Sequence, residues 1–217
     1  ETAIEANRIR LSMEGQGDIL LPEEAVENDL IQTRVWGDDC ETLGLGDEVS
    51  NWLTGAMRSD DRLDIVQMAP GYTRPQGKAD ELGADTHTRF ADAAPYLVAS
   101  EGSLLTLNAE LLARDHEAVT MDRFRPNIVI RGLTPFDEHR LSGLASDHYM
   151  LEFCHPCQRC VVTTIDQDTA VKNPEWQPYR TLCDINPMPG NERAPAFGSN
   201  ARLARGHNAV IRVGDPL

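Results

Sequence analysis

What the chain lacks narrows it before any motif is read. No apolar stretch in the 217 residues approaches the length of a membrane-spanning helix, so no span is expected. Basic residues are few: 20 Lys and Arg stand against 35 Asp and Glu, a formal charge of −15. Nucleic-acid phosphates and anionic headgroups both call for a basic surface, so neither a nucleic acid nor a membrane is expected as a partner. The first residues, Glu1-Thr2-Ala3-Ile4-Glu5, carry neither a secretory nor a transit signal. Five cysteines is an odd number, and with no export signal the expectation is a cytoplasmic, reducing setting without a disulfide framework. Internal repeats and low-complexity tracts are missing. So are G-x-S-x-G, H-E-x-x-H, the P-loop and the Rossmann glycine fingerprint, which removes the common hydrolase, zinc-protease and nucleotide-binding readings.

What is present reads as a soluble chain long enough to bury a real core, in one large domain or two small ones. Residues 7–12 and 19–21 form a hairpin signal around Gly15-Gln16-Gly17-Asp18. Residues 31–36 are β-branched and aromatic, a strand turned by Gly37-Asp38-Asp39. Between Asp47 and Met57, the residues Val49, Trp52, Leu53 and Ala56 fall at helical spacing, with Asp47 as the cap. Residues 63–68 read as another strand, and 69–89 as a mobile loop marking an internal boundary. A turn from Phe90 leads into a short buried strand. Ser100 then caps a helix with an apolar stripe of Leu104, Leu105, Leu107, Leu111 and Leu112. Pro126 biases Arg125 toward an extended shape, so Arg125 and Asn127 are expected on one side of a strand entrance, a grip for a phosphate or polar heterocycle. Residues 149–154 and 161–165 read as strands flanking a cysteine-rich turn, 169–205 as irregular, and 209–215 as a last strand. Strands outnumber helices, which gives a mainly β, α+β, barrel-like fold class.

The chemistry centres on Cys154-His155-Pro156-Cys157-Gln158-Arg159-Cys160, with three of the five cysteines in seven residues. Arg159 and His155 are neighbours of the kind that favour a thiolate. Three readings follow. With Cys183, the set Cys154, Cys157 and Cys160 could hold zinc or an iron–sulfur cluster, although no Cys-Pro follows and Cys183 stands alone rather than in a second C-x2-C pair. One cysteine could instead act singly, as a nucleophile or metal ligand. Or the thiols are inert core residues.

Several stretches in one order carry a resemblance. They are Phe90-Ala-Asp-Ala-Ala-Pro-Tyr-Leu-Val-Ala-Ser, Arg123-Phe-Arg-Pro-Asn-Ile-Val-Ile, Pro156-Cys-Gln-Arg-Cys-Val-Val-Thr-Thr-Ile-Asp, Phe197-Gly-Ser-Asn and Ile211-Arg-Val-Gly-Asp-Pro. Together they resemble the MOSC domain of the molybdenum-cofactor sulfurase C-terminal superfamily, in the branch of the mitochondrial amidoxime reducing component and its bacterial relatives. Arg34-Val-Trp-Gly-Asp and Gly46-Asp-Glu-Val-Ser-Asn-Trp-Leu are similar to the tail of the β-rich domain that precedes MOSC in that branch. The resemblance implies residues 1–72 as the remainder of an N-terminal β-barrel domain and 73–217 as the MOSC domain.

It also implies a pterin-based molybdenum cofactor, molybdopterin carrying Mo, and reduction of N-hydroxylated compounds with electrons from a donor protein or ferredoxin module. By motif position Cys160 is the implied metal ligand and catalytic thiolate, a soft donor suited to molybdenum. Gln158 and Arg159 fall where the family contacts the cofactor, Arg125 and Asn127 match its phosphate- and pterin-gripping pair, and Ala93 and Ala94 match a turn that binds through backbone. Departures are Gln158 and the two alanines, where relatives often carry hydroxyl side chains. The chain also opens on Glu1 without the family's initial Lys-Ser pair and Arg, and no ferredoxin follows Leu217, so an N-terminally incomplete piece is expected. The alternatives are the zinc or iron–sulfur module and a non-catalytic MOSC scaffold or sulfur carrier.

Overall fold

A computed structural model describes the chain except for residues 7, 27–28, 75–78 and 84–85. It divides into two compact units, Glu1–Pro75 and Gln76–Leu217. Strand accounts for 33% of residues and helix for 21%, so the chain is mainly β. Among the described residues no helix is long and apolar enough to cross a membrane.

In the first unit, β1 (Thr2–Glu5), β2 (Arg8–Met13) and β3 (Gly17–Leu20) form one antiparallel sheet. A second sheet holds β4 (Leu30–Val35), β5 (Asp38–Gly44) and β6 (Val66–Met68), with α1 (Asp47–Ala56) between its last two strands. The hairpin at Gly15–Gly17 is as expected, although Asn7 lies outside the described residues. Ile19, Leu21 and Val49 are buried together, with Trp52 and Ile65 against them. Asp47 is not the cap of α1. Gly46 takes that position at φ +94°, no side chain caps the helix, and Asp47 with Glu48 places negative charge in the first turn, where the helix dipole favours it. The stretch after Trp36 is more than a turn: Asp38 begins β5, which pairs along the whole of β4.

In the second unit, α2 (Ala79–Leu82) precedes β7 (Tyr96–Ser100) and α3 (Glu101–Ala113). After β8 (Ile128–Ile130) come β9 (Gly143–Ala145), β10 (Met150–Gln158), α4 (Tyr179–Ile185), β11 (Pro187–Met188) and β12 (Asn191–Arg205). The main sheet runs β8-β7-β12-β10-β9, with β11 on β12, and curls into a half barrel. β7 and β8 are parallel; the other pairs are antiparallel. Within 69–89, expected as loop, Ala79–Leu82 is helical, while 75–78 and 84–85 lie outside the described residues.

The centre of this sheet is β12, a segment expected to be irregular. Residues 194–201 are all buried, so both faces are covered and no apolar–polar alternation shows. Gly198 makes the close approach to β7 possible. At φ +73°, a Cβ there would stand 2.7 Å from the Val98 carbonyl oxygen. One core, Ala99, Leu107, Leu111, Phe124, Leu182 and Phe197, joins the sheet to α3 and α4. Another gathers Val98, Ile130, Leu144 and Ala201. Ser100 caps α3 as expected, its Oγ accepting from Gly102 N at 3.1 Å. The stripe is narrower than expected: Leu107 and Leu111 are buried, Leu104 packs partly, and Leu105 and Leu112 face outward.

Three local expectations are overturned. Arg125 is not extended but left-handed, φ 53° and ψ 47°, because residues Met121–Phe124 wind into a 3-10 turn that Arg125 terminates. Pro126 still keeps it out of the right-handed helix. Val161–Thr164 is a 3-10 turn, not a strand, since Thr163 and Thr164 donate their hydroxyls back to the carbonyls of Cys160 (3.0 Å) and Val161 (2.7 Å). Residues 209–215 form turns rather than a strand. Asp215 Oδ2 accepts from Arg212 N at 2.7 Å, and Asp215 N donates back to the Arg212 carbonyl.

A buried polar layer ties β12 to its neighbours. Glu138 is fully buried, with Ser103 Oγ 2.7 and 2.8 Å from its two carboxyl oxygens, and its backbone carbonyl accepts from Ser199 Oγ at 2.5 Å. His139 Nε2 stands 3.1 Å from the Gly198 carbonyl, and Asn186 Nδ2 lies 3.3 Å from Nδ1. Those partners suit a neutral ring that donates from Nε2 and accepts at Nδ1. Burial lowers the His139 pKa, which agrees. Burial raises that of Glu138, against opposing hydrogen bonds from Ser103 and backbone N–H groups.

Two outcomes follow from this packing. Leu107→Ala lowers unfolding stability by about 2–5 kcal/mol in urea titrations, whereas Leu105→Ala on the exposed face changes it by less than about 0.5 kcal/mol. Because Glu138 holds its proton more tightly folded than unfolded, its contribution is full below the ordinary carboxyl value of 4.5 and is lost as pH rises through the raised folded value. Melting curves across that window should fall for the wild type and fall less for Glu138→Gln.

Candidate functional site

Strand β10 carries the chain through Cys154, His155, Pro156 and Cys157 to Gln158, with register shifts against β12 between 153 and 155 and between 156 and 158. Arg159 extends the pairing by one rung, its N–H donating to the Pro195 carbonyl at 2.8 Å. Cys160 then leaves the sheet in extended backbone and opens the 3-10 turn 161–164. Its carbonyl accepts from Thr163 Oγ1, and Thr163 and Thr164 are buried beneath the turn. The result is an exposed thiol on a backbone held from both sides.

Arg159 does not point at Cys160. Its Nη1 stands 3.0 Å from Cys157 Sγ and its Nη2 donates to the Phe124 carbonyl at 2.8 Å, with the guanidinium 5.9 Å from the Phe124 ring centroid. The Phe124 ring stacks on Phe197 of β12, centroids 3.8 Å apart. Arg159 thus ties the cysteine loop to the segment that contains Arg125. Arg123 adds a second tie, pairing with Asp166 at 2.7 Å, and Asp166 is held low by Thr169 and by Arg123.

Strand register locates the sequence-predicted residues. Gln158 forms the rung with Ala196, Arg159 and Cys160 lie beyond it, and Arg125 follows the carbonyl that Arg159 grips. Gln158 Oε1 accepts from Asn191 Nδ2 at 3.2 Å. Ala93 and Ala94 sit partly buried in the bend before β7, whose first residue, Tyr96, pairs with Ala201. Asn127 stands beside Leu97, two residues on from Arg125. Its N–H donates to the Leu97 carbonyl and its Oδ1 accepts from Leu97 N at 2.7 Å, lengthening the β7–β8 ladder. The extended backbone from which a same-side placement of Arg125 and Asn127 was expected is absent at the left-handed Arg125, while the two residues stay within about 7 Å of one another along the chain. Asn127 also borders a cavity of about 520 Å³ lined by Ile128, Ile130, Leu144, Leu151 and Ile211.

The four-thiolate site is not assembled. Zinc holds sulfur at about 2.3 Å, so its ligands must crowd one point. Here Cys154 and Cys160 are six residues apart on an extended path, and among the described residues no three His, Cys, Asp or Glu side chains are placed to share a metal ion. Burial pushes up the thiols of Cys154 and Cys183, and Cys40 is fully buried. Residues the sequence reading missed include Phe124, Phe197 and Tyr179. The Tyr179 phenol is raised first by burial and then by the nearby Cys183 and Cys160, and its hydroxyl donates to the Arg193 carbonyl at 3.3 Å. Nothing in its sequence context signals this. The phenylalanines sit inside two of the quoted motifs, where they read only as framework.

The MOSC domain profile matches residues 85–217. Mitochondrial amidoxime-reducing component 1 of Homo sapiens is 30% identical over 98% of this chain and 63% of its own length. Mitochondrial amidoxime reducing component 2 of Rattus norvegicus is 30% identical over 99% of this chain and 64% of its own. The Bos taurus component 2 is 28% identical over 94% and 60%. The chain thus spans a little under two thirds of the length of these relatives.

If Arg159 holds the loop to the core, Arg159→Met leaves the Phe124 carbonyl unpaired and costs about 1–3 kcal/mol. Hydrogen exchange at Thr163 and Thr164 should quicken in the variant. Unchanged exchange there would mean that the turn is held without Arg159.

Proposed function

The chain belongs to the MOSC domain family, and on that premise we propose that it is a molybdenum-cofactor oxidoreductase that removes oxygen from N-hydroxylated compounds, with Cys160 as the metal's protein ligand. The observation that carries this reading is the exposed Cys160 thiol on a fixed turn, with the other four cysteines buried or partly buried. The family is associated with molybdenum-cofactor binding, and the relatives are named for amidoxime reduction.

The residues present fit such a group. A single soft thiolate suits molybdenum, whereas a lone cysteine is a poor zinc site. The exposed Arg125 guanidinium offers a forked partner for a phosphate. The bend at Ala93 and Ala94, without large side chains, leaves backbone groups open to a polar heterocycle.

When bound, the cofactor supplies the two-electron chemistry; the protein presents, orients and shields. The net change is R–NH–OH + 2 e⁻ + 2 H⁺ → R–NH₂ + H₂O. The electrons come from an external donor, a separate protein or a ferredoxin module. Cys160 would hold the metal end, Arg159 and the two threonines fix the backbone that carries that sulfur, and Gln158, Arg125 and Asn127 would orient the remainder. Thiol chemistry of this kind suits a reducing compartment such as the cytoplasm.

Elemental analysis of protein from a cofactor-competent host tests the assignment, wild type beside Cys160→Ala. Near-stoichiometric molybdenum in the wild type and its loss in a variant with an unchanged circular dichroism spectrum is the expected result. Equal molybdenum in both would remove Cys160 from the metal. Zinc or iron without molybdenum would return the problem to Cys154, Cys157 and Cys183, and a folded, metal-free wild type would favour the non-catalytic scaffold.

A further inference from the structure

The segment that follows Cys160 is apolar where it faces solvent. Residues 161–176 fold back on themselves. Ile165 pairs with Lys172, Asp166 N donates to the Val171 carbonyl, and Asn173 N donates to the Thr164 carbonyl. Inside, Thr163 and Thr164 are buried; outside stand Val161, Val162, Val171 and Trp176, at 42%, 55%, 62% and 38% exposure. Isolated surface hydrophobes are ordinary, but four within sixteen residues of one small excursion form a patch.

Most charges of the excursion are engaged elsewhere. Asp166 pairs with Arg123, Glu175 lies 3.4 Å from His116, and Lys172 sits 3.8 Å over the Trp176 ring. Asp168 stands in the turn 167–169, away from Cys160 along the excursion. The valines are the first two residues after Cys160. The hydroxyl bonds beneath them fix the turn, so they are held outward rather than free to fold in.

We propose that Val161 and Val162 are specificity-determining residues that form an apolar wall for the carbon skeleton of the substrate. The wall sorts N-hydroxylated compounds by the apolar surface of their carbon skeleton, favouring longer chains over shorter ones. This rests on Cys160 marking the reacting end of the site. The wall is within a side chain's reach of that end because it begins at the next residue. It binds through burial of apolar surface and not through charge, in keeping with the engaged carboxylates.

A homologous series of alkyl amidoximes, from acetamidoxime to octanamidoxime, tests it. Specificity, as kcat/KM, should climb by about fourfold per methylene while the chain lies on the wall. In a Val161→Thr, Val162→Thr double variant, which keeps the side-chain shape, the climb should flatten to less than about twofold per methylene. An equal slope in wild type and variant would overturn the proposal. A second measurement needs no metal: methyl NMR of the metal-free chain titrated with the same amidoximes. Shifts at the Val161 and Val162 methyls that grow with chain length support the wall; shifts absent there, or centred elsewhere, refute it. Turnover that ignores chain length would sink the wall and leave the reaction standing. No turnover with valine shifts intact would sink the reaction and leave the wall.

Discussion

Phe124 is where the core and the candidate site are joined. Its ring is fully buried and stacks on Phe197, in the most enclosed part of β12. Its carbonyl receives Arg159 at 2.8 Å. That carbonyl is open because the 3-10 turn ends there: Arg125 swings into the left-handed region and the helical ladder stops. One residue thus anchors the sheet with its side chain and the cysteine loop with its backbone. Arg159 completes the link by spending its guanidinium on Phe124 and Cys157 instead of on Cys160. The Cys160 thiol is placed by its neighbours' bonds and left exposed itself.

Sequence patterns revealed the parts of the fold that have one wet face. The first hairpin, β4, α1 and α3 show period 2 or period 3.6 because one side meets solvent. Strand β12 was illegible for the opposite reason: eight consecutive buried residues, with a proline and a left-handed glycine among them, look like loop. The Val161–Thr164 run misled because β-branched residues favour strands on average, while here two threonine hydroxyls bond back to carbonyls three residues earlier. Arg125 misled because the proline rule excludes one region and does not choose between those left.

The candidate site was legible as motifs but not as geometry. Spacing brought Cys154, Cys157 and Cys160 together on paper, but an extended strand spreads Cys154 and Cys157 along β10 and carries Cys160 past its end. The same strand explains how Gln158, Arg159 and Cys160 follow one another at one end of β10, against residues 195–196 of β12. No spacing rule could place Ala93, Ala94 or Asn127 relative to them, since that depends on the register of β7 and β10 on β12, strands far apart in sequence. The Arg159 contacts were invisible for a related reason: the partner that matters is a backbone carbonyl, which any residue at position 124 would supply.

The central claim is that Cys160 alone among the cysteines meets the metal. X-ray absorption at the molybdenum edge of the loaded protein tests it most directly, comparing wild type, Cys157→Ser and Cys160→Ser. The account predicts one sulfur fewer around molybdenum in Cys160→Ser and an unchanged sulfur shell in Cys157→Ser. Loss of a sulfur in Cys157→Ser, or an intact shell in Cys160→Ser, would contradict it.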